Sequence, residues 1–154
     1  MYELIRQNLH RQFKGLELLC SLLDEEFSLL CAHDTDSVSA LEFSIHELLR
    51  QIVAERVDLK KQIQGATVLE YAGMLPDEDG QEIMRLHHLI DALEQSGSRQ
   101  AARNSELSLA LLDQSQSLLL FLHKQIAPRQ EECYGARGKL KESRPAATLY
   151  SGRM

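Results

Sequence analysis

Leu9, Phe13, Leu16, Cys20, Leu23, Phe27 and Leu30 are spaced alternately four and three residues apart. That spacing puts one apolar stripe on a helix for three heptads, and a 3.5-residue repeat on a 3.6-residue turn stays covered only if partner helices coil against it. The chain must therefore bring other helices alongside. A second series follows as Val38, Leu41, Ile45, Leu48, Ile52, Glu55 and Leu59, then loosens through Ile63, Ala66 and Leu69. Between the two lies HDTDS, residues 33–37, whose Asp, Thr and Ser side chains suit caps and turns. Ser39 and Glu42 have capping-box spacing, while Asp36 or Ser37 serves equally well as the N-cap.

A third series keeps one register through a polar centre: Ile83, Leu86, Ile90, Leu93, Gly97, Gln100, Asn104, Leu107, Leu111, Gln114, Leu118 and Phe121. The stretch SGSR at 96–99 resembles a linker, but a linker has no reason to preserve heptad phase, which favours a single long helix. A break near Gly97 is the competing outcome, since an interior glycine costs about 1 kcal/mol relative to alanine. The stretch GMLPDEDG at 73–80 separates the second and third series, and Pro128 disfavours helix beyond it. With 28 Leu against 4 Val, 3 Thr and no Trp, strand formers are scarce. The expected fold is all-α: an elongated antiparallel three-helix coiled-coil bundle over residues 1–128, with helices at about 2–32, 36–72 and 79–127. A flexible tail is expected over 129–154.

The net charge of −6 is unevenly placed. Residues 135–154 hold five basic residues and one acidic residue, so a tail of +4 leaves −10 for residues 1–134. An acidic body repels a phosphate backbone, so no nucleic-acid partner is expected for the folded part. Glu3 and Arg6 interrupt the N-terminal apolar residues, unlike a signal peptide, and the longest uninterrupted apolar run, Leu118 to Leu122, falls far short of a bilayer span of about 20 residues. A cytoplasmic protein without membrane insertion is expected. Cys20 and Cys31, eleven residues apart on one helix, are separated by about 16 Å, too far for a disulfide, and with Cys133 the total is odd. Free thiols follow.

The chemical motifs are incomplete. His46-Glu47-Leu48-Leu49-Arg50 places Arg where a helical zinc motif needs its second His. His87 with Asp91 offers two ligands where zinc needs three or four, and no His follows a Glu by three residues as di-iron bundles require. His10 with Lys14 and Gly15 is one residue too widely spaced for a histidine phosphotransfer core, which survives only as a distant alternative. No enzyme, metal or cofactor is expected.

What remains unexplained is the apolar excess around Leu107, Leu109, Leu111, Leu112, Leu118, Leu119, Leu120, Phe121, Leu122 and Ile126, which covers more of the helix than one seam uses. Leaving about 400 Å² of it in water would cost about 10 kcal/mol at ~25 cal/mol per Å². A dimer mate, a client segment or a central place in the chain's own bundle would cover it.

Three stretches resemble the FlgN family of flagellar type III export chaperones. They are the hairpin of residues 22–59, Asn104 opening a leucine-rich helix, and Tyr134-Gly135-Ala136-Arg137-Gly138, similar to the family's Tyr-Gly-x-x-Gly. The chain departs from the pattern at Leu107, Ser108 and Arg137. The resemblance implies a non-enzymatic chaperone that binds the C-terminal helical segments of hook-associated proteins such as FlgK and FlgL. Leu107, Leu111, Leu112, Leu118, Leu119, Phe121, Leu122 and Ile126 would form the client surface. It also implies delivery to the export gate protein FlhA, with Tyr134, Gly135 and Gly138 as the docking segment. A plain coiled-coil assembly protein, whose third helix only dimerises, is the alternative.

Overall fold

A computed structural model of the chain describes residues 1–126. Every element in them is helical: α1 (Tyr2–Cys31), α2 (Thr35–Gln62), α3 (Val68–Gly73) and α4 (Asp77–Ile126). The chain divides into two units, Met1–Ala110 and Leu111–Met154, with the division inside α4.

The first stop is made by backbone geometry rather than by glycine. His33 takes a left-handed conformation at φ 57°, the Asp34 N–H donates to the Leu29 carbonyl, and the His33 N–H donates to that of Leu30. These paired bonds form a Schellman motif and satisfy carbonyls that the helix end leaves open. Asp34 then caps α2, accepting from the Ser37 N–H at 3.1 Å and from the Ser37 hydroxyl at 2.7 Å. The N-cap is thus Asp34, upstream of Asp36, Ser37 and Ser39, because only at Asp34 does the chain leave the left-handed turn.

The expected second helix over 36–72 is divided in two. Gln64 and Gly65 both have positive φ, 54° and 86°, and the Gly65 N–H donates to Lys60 O while that of Gln64 donates to Lys61 O, a second Schellman stop. Thr67 restarts the chain as α3 through a reciprocal capping box with Glu70: the Glu70 N–H donates to the Thr67 hydroxyl and the Thr67 N–H to the Glu70 carboxylate. Loose apolar spacing through Ile63, Ala66 and Leu69 is outweighed by these local terms, and Leu69 is exposed.

In the first unit, α1 is the shared element. Its buried residues Ile5, Leu9, Leu16, Leu19 and Leu23 pack with Ile45, Ile52 and Leu59 of α2, Ala72 of α3, and Ile83 and Ile90 of α4. At ~25 cal/mol per Å², burying one of these leucines or isoleucines stabilises by roughly 1.5–3 kcal/mol. Gly15 lies against Ile52, and Glu55 reaches Asn8. On the α4 side, the Tyr2 hydroxyl donates to Glu82 at 2.7 Å and the Cys20 thiol to Leu93 O at 3.6 Å.

The third series forms one helix through Gly97, as its phase predicts. Gly97 is buried against Cys20 and Leu23, so the polar centre is packed seam. Cys20 and Cys31 are both free thiols. Burial, with the nearby Asp24 charge second, pushes the Cys20 thiol above its ordinary value. Among the described residues no helix is long and apolar enough to cross a membrane.

Candidate functional site

The predicted client surface falls on both sides of the division after Ala110. In the first unit, Leu107 is half-buried and the neighbouring Leu109 is exposed. In the second, Leu111 is half-buried, while Leu112, Leu118, Leu119, Phe121, Leu122 and Ile126 are all exposed, from 43% at Leu122 to 75% at Ile126. Consecutive residues Leu118 to Leu122 point around more than half a turn, so the apolar surface is broad rather than a single stripe. The predicted docking residues Tyr134, Gly135 and Gly138 lie outside the described residues, as does the expected tail 129–154.

The first unit contains two polar clamps of the same design. In one, Asn8 of α1 is fully buried; its Nδ2 donates to Glu55 O at 2.9 Å and to Glu55 Oε2 at 2.6 Å, and its Oδ1 accepts from Gln12 Nε2 at 2.6 Å. In the other, Asn104 of α4 is 3% exposed; its Nδ2 donates to Leu23 O at 2.8 Å and to Glu26 Oε2 at 2.6 Å, and its Oδ1 accepts from Gln100 Nε2 at 3.0 Å. Each asparagine thus spends both amide protons on a facing helix, one on backbone and one on a carboxylate. Slipping the pair by one residue would strand those groups without water, so each clamp fixes register.

The two carboxylates differ in their further partners. Arg11 grips Glu55 with both prongs, Nε to Oε1 at 2.7 Å and Nη2 to Oε2 at 2.9 Å. Among the described residues, Glu26 has no cationic partner. Arg103, the nearest basic residue in sequence to Asn104, instead lies over the Phe27 ring at 4.9 Å and donates to Gln100 at 3.4 Å.

Beside the Asn104 clamp opens a groove of about 580 Å³, confined to the first unit. Its apolar base includes Leu16, Leu19 and Leu23 of α1. One wall is α2, with Glu42, Leu49 and Val53, and the other is α4, with Gly97, Ser98, Ala101, Ser105 and Ser108. Arg56 and Glu94 form an ion pair between the walls.

For metal chemistry the described residues offer no group of three His, Cys, Asp or Glu. His87 Nδ1 lies 3.3 Å from Asp91, and Arg50 pairs with Glu47 at 3.5 Å beside His46. His10 is exposed, its ring centroid 6.3 Å from that of Phe13.

A family model described as FlgN protein matches residues 1–142, which takes in both clamps, the leucine surface and the Tyr134 segment. The chain belongs to the FlgN family. No curated protein and no solved structure matches it. Membership in the FlgN family makes this chain one of the flagellar export chaperones.

Two features of this FlgN chain escape the heptad series taken one at a time. Asn8 and Gln12 belong to a second stripe on α1, Ile5, Asn8, Gln12, Leu16, Leu19 and Leu23, which exists because α1 packs on two sides. The signal was there in the polar pair at i and i+4 between apolar residues. The groove depends on small side chains facing another helix, and no periodicity of large apolar residues reports it.

Proposed function

We propose that this chain is a cytoplasmic, non-enzymatic type III export chaperone that binds the C-terminal helical segments of hook-associated proteins such as FlgK and FlgL. It would then deliver them to the export gate protein FlhA. The supporting observation is that a FlgN-family chain leaves a broad row of leucines, Leu112 to Ile126, open to solvent. Such a surface is stable in water only when something apolar comes to cover it for part of its life. An amphipathic client helix lays its apolar face on that row, held from solvent as a helix is held in a groove.

In this proposal the first unit is a frame read as an antiparallel three-helix bundle, with α3 as a short insert. Residues 129–154 carry the address, and Tyr134 is its anchor: a rigid aromatic ring with a polar end is the sort of residue that dominates small interfaces. Truncation after Pro128 is expected to abolish binding to the gate and to weaken client capture, while helicity is kept; unchanged affinities in both titrations refute it. Leu119→Glu is expected to lose the client's terminal helix in a pull-down and keep the gate, whereas Tyr134→Ala does the reverse. A tight dimer that ignores added client helix, split by Leu119→Glu, would instead establish the leucines as an assembly surface.

A further inference from the structure

The groove beside the Asn104 clamp has an occupant its chemistry describes. Glu26 is half-buried, and its Oε2 is committed to Asn104. The matching carboxylate of the other clamp, Glu55, is completed by Arg11, whereas Glu26 has no cation among the described residues. Glu26 lines a groove that opens to solvent, so a cation entering that groove can reach its carboxylate. Its charged lining, Glu26, Glu42 and Glu94 against Arg56, is −2.

The dimensions fit one helix. From Glu42 to Arg56 the α2 wall spans fourteen residues, about 21 Å at 1.5 Å each, which is about four turns. Beside Asn104 the α4 wall presents the small side chains of Gly97, Ser98, Ala101 and Ser105, and helix axes come nearest where side chains are small. With a helix about 10 Å across, the footprint is about 200 Å², well below the roughly 800 Å² per partner of a stable protein pair. The charge of −10 over residues 1–134 also opposes a second copy.

We propose that this groove docks a single amphipathic helix of a partner protein, about four turns long, with Ala- and Leu-sized side chains on its inner face and a Lys or Arg that pairs with Glu26. The site is separate from the Leu111–Ile126 surface and does not depend on the client that surface holds.

The test uses the full chain and a fluorescein-labelled peptide of about 16 residues, Ala- and Leu-faced, with one flanking Lys, followed by anisotropy. Ala101 is exposed, so Ala101→Trp fills the groove without disturbing the fold and is expected to abolish the Lys-dependent part of the binding, leaving only what the Leu112–Ile126 surface takes up. Glu26→Gln, which keeps an acceptor for Asn104, and a peptide with Lys replaced by Glu are each expected to weaken binding by about tenfold or more, the size of a lost charged hydrogen bond. Glu42→Gln, on an exposed residue, is expected to weaken binding by less. Leu119→Glu is expected to leave the Lys-dependent part unchanged. Equal binding by wild type and Ala101→Trp, or loss with Leu119→Glu alone, overturns the proposal, because the peptide then sits elsewhere. A dimeric wild type made monomeric by Ala101→Trp also overturns it, and assigns the groove to a second copy.

Discussion

The clamps at Asn8 and Asn104 solve one problem with different completeness. Both bury an asparagine that bonds a backbone carbonyl and a carboxylate on the facing helix, and both back it with a glutamine four residues away. Around Asn8 every charge is answered within the unit, since Arg11 covers Glu55. Around Asn104 the carboxylate faces a groove and the glycine and serines of α4 leave space beside it. The difference teaches that buried polarity can serve two ends in one frame. At Asn8 it fixes how α1 and α2 pair, and at Asn104 it fixes α1 against α4 while leaving a charged, uncovered edge.

Removing each asparagine measures that difference. Asn8→Ala strands the buried Gln12 amide, opens a small cavity and removes three hydrogen bonds, so a loss of about 3 kcal/mol is expected in denaturant unfolding. Asn104→Ala is expected to cost less, about 2 kcal/mol, because the half-exposed Gln100 can turn to water and Glu26 lies at the groove. Equal losses would mean that the groove edge is as closed as the Asn8 site. The double variant should be additive within a few tenths of a kcal/mol if the clamps act independently.

Two glycines sharpen the contrast between a tight contact and an open one. A Cβ on Gly80 would lie 2.6 Å from the Ala72 carbonyl oxygen, a backbone atom that cannot step aside. Gly80→Ala is therefore expected to destabilise by about 1–3 kcal/mol. A Cβ on Gly97, in the α4 wall of the groove, would meet Cys20 Sγ at 3.5 Å, an ordinary contact. Gly97→Ala is expected to stabilise by up to about 1 kcal/mol through helix propensity. Thermal unfolding of both variants checks the opposite signs.

The helical class, the α1–α2 turn and the continuity of α4 were legible because large apolar residues at fixed spacing report a seam directly. Phase carried α4 through Gly97 even though glycine and serine there look like a linker. The break after Gln62 was also written in the residues, as Gly65 followed by the Thr67-x-x-Glu70 box, but three loosely spaced apolar residues masked it. Heptad spacing weighs only side-chain burial, and two left-handed residues with a capping box outweigh a weak stripe. The exposed leucines of the candidate site were readable as apolar excess. The clamps were half readable: Gln100 and Asn104 stand in their series, but their partners Glu26 and Leu23 come from a helix 78 and 81 residues away in the chain.

The smallest effect concerns another point at which α1 is pinned to α4. Tyr2 donates to Glu82, and Arg6 reaches the same carboxylate at 3.3 Å, so this contact, like that at Glu55, joins a carboxylate to a cation and a neutral donor. The hydrogen bond to Glu82, then burial, pushes the Tyr2 hydroxyl from 10.0 up to about 12. Glu82 is held below its ordinary 4.5, first by Tyr2 and also by Arg6. A raised Tyr2 stabilises the fold fully below pH 10 and loses that contribution as the pH climbs to about 12, when the folded hydroxyl ionises. A lowered Glu82 stabilises fully above about pH 4.5 and loses its contribution as the pH falls below that value. Tyr2→Phe is expected to cost under about 1 kcal/mol at neutral pH, since the pair is solvent-screened. Its difference from wild type, followed by denaturant unfolding across the pH range, should shrink toward both extremes. A difference that stays flat above pH 10 would mean that the phenol packs without bonding Glu82, leaving Arg6, Cys20 and Asn104 to hold α1 against α4.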